Sequence, residues 1–237
     1  MIKDFISIDL ETTGLLPKED RIIEIGAVKY RDGKETDRFY SLVNPQREIP
    51  ERITELTGIS DRDVKEKPVF REICQSLLDF LGNDVLMAHH ISTDYAFLKR
   101  GVISLGGAGI KSFEKNGIDT LRIARQCVEG TESRSLSSLC RHYQIPLKAH
   151  RALEDAGATA KLYIKMAQEY EKGRERLLQP YQLVYKIKKE GPVTKVQKEQ
   201  LYRLLKKHGI TPEYNVEGLT KNEASRYLDR ILSEYGR

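Results

Sequence analysis

The stretch Phe5-Ile6-Ser7-Ile8-Asp9-Leu10-Glu11-Thr12-Thr13-Gly14 ends an apolar run on two acids. Phe5, Ile6 and Ile8 favour a strand, and Thr12-Thr13-Gly14 closes it. Residues two apart on a strand share a face, so Asp9 and Glu11 aim their carboxylates in one direction. Two like charges side by side repel. Either water at an open strand end or a bound cation must relieve them. A lone Asp-x-Glu is satisfied by water, so the pair acquires meaning only from acids elsewhere in the chain.

Two further patterns supply such acids. Ala88-His89-His90-Ile91-Ser92-Thr93-Asp94 follows the apolar strand Val85–Ala88, and Asp94 opens a helix-like run from Tyr95 to Arg100, where the helix dipole favours an acid. His150-Arg151-Ala152-Leu153-Glu154-Asp155-Ala156 opens a longer helix, with Leu153, Ala156, Ala160, Tyr163, Ile164 and Ala167 as its apolar stripe. Asp155 lies off that stripe, and His150 sits just before the helix. Each group is ordinary alone: a solvated acid, a helix-terminal acid, a surface histidine. Together, four carboxylates and one imidazole are what two-metal phosphodiester hydrolysis needs. Hard oxygen ligands without cysteine suit Mg2+ or Mn2+ rather than Zn2+. An imidazole takes a proton from water near neutrality.

The rest of the chain limits the setting. Its 237 residues suffice for one α/β domain and a small second unit. No stretch of about 18 apolar residues is present, so no membrane partner is expected. The amino end passes directly into a strand, where no signal peptide fits. Cys74, Cys127 and Cys140 are odd in number and lack ligand spacing, which reads as reduced, buried cysteines of a cytoplasmic protein. The net charge of +5 is uneven: residues 173–237 hold 14 Lys+Arg against 8 Asp+Glu, or +6, and residues 1–172 hold 26 against 27, or −1. That basic excess suits phosphate contacts, and equally an ordinary solvated surface.

Along the chain, strands are expected at 3–9, 22–30 and 36–43, the last two joined by the hairpin signal Asp32-Gly33. Helices near 51–56 and 69–81, a strand at 84–88 and a helix at 94–104 follow. Gly101 to Gly109 reads as a connection. Helices at 120–128, 135–143 and 152–170 complete a mixed sheet covered by helices. Residues 173–190 read as a basic linker helix, placed over 174–189 and broken by Gly191-Pro192. Residues 191–237 read as a small helical module, its two helices announced by the capping boxes Thr194-x-x-Gln197 and Thr220-x-x-Glu223. Residues 1–172 then form the first domain.

The three acidic patterns, in this order and with these flanks, resemble the DnaQ-like (DEDDh) 3′→5′ exonucleases, the group of the proofreading epsilon subunit of bacterial replicative polymerases. The shared flanks are Ile22-Ile23-Glu24-Ile25-Gly26-Ala27, Leu56-Thr57-Gly58-Ile59 and Asp119-Thr120. The resemblance covers roughly residues 1 to 170 and implies a ribonuclease-H-like α/β fold. It implies that Asp9, Glu11 and Asp155 hold one of two Mg2+ or Mn2+ ions, that Asp9 and Asp94 serve the other, and that His150 deprotonates the attacking water. It implies substrate contacts at Thr12, Thr13 and Leu15, release of nucleoside 5′-monophosphates, single-stranded or frayed DNA 3′ ends as substrate, and a DNA polymerase as a partner. The family's second pattern usually reads His-Asn-x-x-Phe-Asp, and here His90 replaces Asn and Thr93 replaces Phe. Those departures bear on packing and substrate contact and leave all five catalytic positions intact. Two alternatives stay open: an exoribonuclease trimming RNA 3′ ends, and an inactive accessory module that binds nucleic acid or a polymerase.

Overall fold

The computed structural model describes residues 1–105, 113–148, 150–186, 191–212 and 214–236, and the Asn222 side chain is not described. The chain divides into two compact units, Met1–Tyr185 and Lys186–Arg237.

The first unit is built on a six-stranded mixed sheet. β1 (Phe5–Thr12), β2 (Ile22–Arg31) and β3 (Lys34–Leu42) run antiparallel. β4 (Leu86–Ala88) and β5 (Asn116–Asp119) lie parallel to β1, and β6 (Tyr181–Gln182) is antiparallel to β5, giving the order β3-β2-β1-β4-β5-β6. The β2–β3 turn has both Asp32 and Gly33 at positive φ, 48° and 74°, the twist a two-residue hairpin requires. α1 (Glu51–Thr57) and α2 (Asp61–Val64) close a small cluster over Ile23.

Strand alternation along β1 sorts the two faces of the sheet. Ile6, Ile8 and Leu10 meet the layer of α3 (Phe70–Leu81) and α4 (Ile91–Ser104). Phe5 meets the layer of α5 (Thr120–Cys127), α6 (Leu136–His142) and α7 (Ala152–Tyr170). Ser7, Asp9 and Glu11 share the Phe5 face. Gly26, the ladder partner of Asp9, lets α7 start against the sheet: a Cβ there would stand 2.1 Å from the Leu153 nitrogen. This is the helix-covered, ribonuclease-H-like mixed sheet that the sequence predicts.

Two expectations need correction. Residues 173–190 do not form a basic linker helix. A 3-10 turn, Glu175–Leu178, leads through Pro180 into β6, which pairs Tyr181 with Gly117 and Gln182 with Asn116. Proline cannot donate within a helix, and Leu183 packs where a Gly117 side chain would be, 2.7 Å from a Cβ built there. Residues 173–185 therefore belong to the first unit, and 187–190 lie outside the described residues. Gly101 is likewise no connection but part of α4, set against the Phe70 ring, with its built Cβ 2.7 Å from Phe70 Cε1. Residues 106–112 of that expected connection lie outside the described residues.

In the second unit α8 (Lys195–His208) and α9 (Lys221–Tyr235) pair around Leu201, Leu204, Leu205, Ala224, Leu228 and Ile231. Both capping boxes form, with Gln197 and Glu223 accepting from the Thr194 and Thr220 backbone N–H groups at 3.1 and 2.8 Å. All three cysteines are free and buried. No helix among the described residues is long and apolar enough to cross a membrane.

Candidate active site

β1, β4 and β5 end at the same edge of the sheet, and α4, α5 and α7 begin there. Asp9 and Glu11 lie on the α7 side of β1. Asp155 enters from the first turn of α7, and oxygens of Asp9, Glu11 and Asp155 come within 4.8 Å of one another. Asp94, in the first turn of α4, is outside that group of three. It is buried, and its Oδ1 accepts from the Leu10 N–H at 3.1 Å. Its charge is nevertheless felt by Asp9.

The electrostatics are those of an uncompensated anionic cluster. Burial, followed by the charges of Asp94, Asp155 and Glu11, holds the Asp9 carboxyl well above its usual range. Burial and the charges of Asp155 and Glu24 push Glu11 up to about 7, against the opposing pull of Arg151. Asp94 is pushed up to about 8, chiefly by burial, although backbone donors oppose the shift. Burial raises Asp155 as well, and the His150 N–H, donating to its Oδ2 at 2.8 Å, offsets part of that. Converging carboxylates that resist ionising together fit a hard divalent cation, which would supply the missing positive charge.

His150 precedes α7 in a left-handed conformation, φ 66°, with its side chain exposed. It is tied to the cluster through its backbone, which leaves the imidazole outside the carboxylate set. His89 has a different part: its ring bridges Thr120 Oγ1 at 2.9 Å and the Arg134 carbonyl at 2.8 Å, a bracing role. His90 caps α4 at φ 80°. Asn and His are among the few side chains that tolerate such backbone, which accounts for His in the family's Asn position. The His90 N–H donates to Asp119 Oδ1 at 3.0 Å, and Asp119 also caps α5 through Leu121 and Arg122.

The three expected substrate positions separate. Thr12 donates to the Gly14 carbonyl at 2.6 Å. Leu15 is 80% exposed. Thr13 is buried; its hydroxyl accepts from the Arg21 N–H at 3.0 Å, and its own N–H donates to the Arg21 carbonyl at 2.8 Å. Through those groups Thr13 braces the segment from inside the loop.

Sequence reasoning assigned no role to Glu24 or Asp119. For Glu24 the signal was available: it is an acid inside an apolar strand, and a buried charge requires partners. Glu24 lies across from Glu11 in the ladder and is fully buried.

A mixed sheet with a carboxylate cluster where its central parallel strands end defines a ribonuclease-H-like nuclease architecture. The sequence pattern of the exonuclease family (RNase_T) matches residues 6–163. The chain belongs to this exonuclease family. It is 39% identical over 167 residues to the PolC-type DNA polymerase III of Caldanaerobacter subterraneus, a match covering 70% of this chain and 12% of that protein. The chain thus spans about an eighth of such relatives. It is 32% identical over 166 residues to the DNA polymerase III epsilon subunit of Aquifex aeolicus, covering 70% of this chain and 81% of that one. The solved structure of exonuclease X in complex with 5′ overhanging duplex DNA superposes with a TM-score of 0.58 at 25% identity, covering 73% of this chain and 97% of the other.

Proposed function

We propose that this protein is a metal-dependent 3′→5′ exonuclease acting on single-stranded or frayed DNA 3′ ends and releasing nucleoside 5′-monophosphates. The observation that carries the proposal is the convergence of Asp9, Glu11 and Asp155 within 4.8 Å, with their carboxyls held above the usual range. The epsilon subunit and PolC names of the relatives, and the DNA held by exonuclease X, support DNA as substrate and a DNA polymerase as partner.

Asp9, Glu11 and Asp155 would hold one divalent ion, and Asp9 with Asp94 the other, each Mg2+ or Mn2+. Such ions supply positive charge to the attacking and leaving oxygens of the phosphodiester. His150 takes a proton from the attacking water. The water oxygen then bonds to phosphorus as the bond to the 3′ oxygen of the penultimate nucleotide breaks, and that oxygen takes up a proton from solvent. The segment Thr12–Leu15 borders the terminal nucleotide, with Leu15 offering an exposed apolar contact to its base.

Matched 3′- and 5′-labelled DNA and RNA oligomers, single- and double-stranded, test this reading. The expected result is a Mg2+- or Mn2+-dependent ladder from the 3′ end, fastest on single-stranded DNA. Faster cleavage of RNA would move the substrate to RNA 3′ ends. Binding without metal-dependent turnover would reduce the protein to an accessory module.

A further inference from the structure

Glu24 stands in the apolar run Ile22–Ile25 with no exposure to solvent. Both of its oxygens are occupied. Oε1 accepts from Arg151 Nε at 3.0 Å and from the Tyr40 hydroxyl at 2.9 Å, and Oε2 accepts from the Ala152 N–H at 2.9 Å. Arg151 Nη2 in turn donates to the Tyr40 oxygen at 2.8 Å. Arg151 and Ala152 directly follow His150 on the way to Asp155, and His150 and Asp155 are themselves joined by the His150 N–H to Asp155 Oδ2 bond at 2.8 Å.

Resting on the exonuclease reading, we propose that Glu24 is a positioning residue: it clamps the lead-in to α7, and so sets His150 and Asp155 together against Asp9 and Glu11. Gly26 limits the same segment from beneath, because the α7 backbone rests where its side chain would be. A role as metal ligand is disfavoured, since Glu24 is outside the convergent three and its oxygens already accept from this chain. A role in stability alone is a poor account of a buried charge, because an apolar residue of similar volume commonly holds a fold at least as well. The three groups bonded to Glu24 all act as donors to it. An amide would meet them with one acceptor and one donor, so Glu24→Gln keeps the shape and breaks the clamp.

The test uses full-length Glu24→Gln, Arg151→Gln and the double variant, with Tyr40→Phe as the mildest change. In metal-free protein, hydrogen exchange at residues 151–155 should quicken by about tenfold or more while β1 and β2 keep their protection. On a single-stranded oligonucleotide with Mn2+, kcat should fall by about 10- to 100-fold, KM should stay within about threefold, and the double variant should be no worse than the singles. Unchanged exchange at 151–155 overturns the proposal. So do single losses that multiply in the double variant, and a kcat restored by raising Mn2+, which would make Glu24 a ligand. Should Glu24→Gln fail to fold, Arg151→Gln, at a partly exposed side chain, decides by the same readouts. A wild-type protein that cleaves nothing would refute the exonuclease reading, and the exchange measurement would still decide the clamp.

Discussion

Asp9 is the residue on which the other acids converge, since Asp94, Asp155, Glu11 and Glu24 all oppose its ionisation. Asp9→Ala should leave less than about a hundredth of wild-type turnover in metal-replete buffer, because loss of one transition-state charge stabiliser typically costs about 10²–10³. The same change removes a repelling charge, so thermal unfolding without metal should occur at the same or a higher temperature. The cluster also predicts a pH dependence. Glu11 and Asp94 sit at about 7 and about 8 when folded, against ordinary values of 4.5 and 3.8. A carboxyl raised by folding adds stability that is complete below its unfolded value and disappears as pH rises through its folded one. Melting of the chelator-treated protein should therefore fall from about pH 4 to about pH 8, and Mn2+ should reverse the fall. A flat profile would mean that burial and mutual repulsion do not raise these carboxyls. His150→Ala, by contrast, should slow turnover and keep Mn2+ affinity, as titration calorimetry would show. A large loss of affinity would make the imidazole a ligand.

At the scale of elements, α7 is the part on which the site depends, and Gly26 is the residue that seats it. Gly26→Ala places a methyl into the Leu153 backbone. It should destabilise the unit by about 1–3 kcal/mol, the usual cost of overpacking. It should also cut activity beyond the unfolded fraction, which denaturant melts and kinetics on one preparation would separate. The legible parts of the fold were those with a period or a cap. Alternation gave the common face of Asp9 and Glu11, the apolar stripe gave Ala152–Tyr170, and the boxes at Thr194 and Thr220 gave both C-terminal helices. β5 was missed because Asn116-Gly117-Ile118-Asp119 has one good strand former in four residues, and its pairing is decided by neighbours far along the chain. β6 was hidden inside a basic stretch whose charges suggested a helix, although Pro180 argued against one. The sequence brought Asp9, Glu11, Asp94, His150 and Asp155 into one list. It could not show that Asp94 stands outside the convergent three, or that Thr13 turns inward, because both depend on tertiary hydrogen bonds.

For the whole molecule, each unit has its own apolar cluster, so the first does not need the second for a core. Deleting residues 191–237 should preserve cleavage of short oligomers and weaken binding to longer strands. If the basic tail touches phosphates, each lost contact should flatten the log–log salt dependence of binding by nearly one unit. Equal affinity and equal salt slope in the two forms would reject a nucleic-acid role for the tail, and aggregation of the shortened chain would show that it completes the core. Within the first unit, β1 comes early in the chain and lies in the interior of the sheet, between β2 and β4. Asp9 and Glu11 acquire Asp155 only after more than a hundred further residues have been added. Domains fold as units during synthesis, at about 5–20 residues per second, so Asp9 and Glu11 emerge from the ribosome several seconds before Asp155 does. On the exonuclease reading, a nascent chain of this kind therefore stays inactive until α7 has emerged, because the acids that converge are set far apart in the sequence.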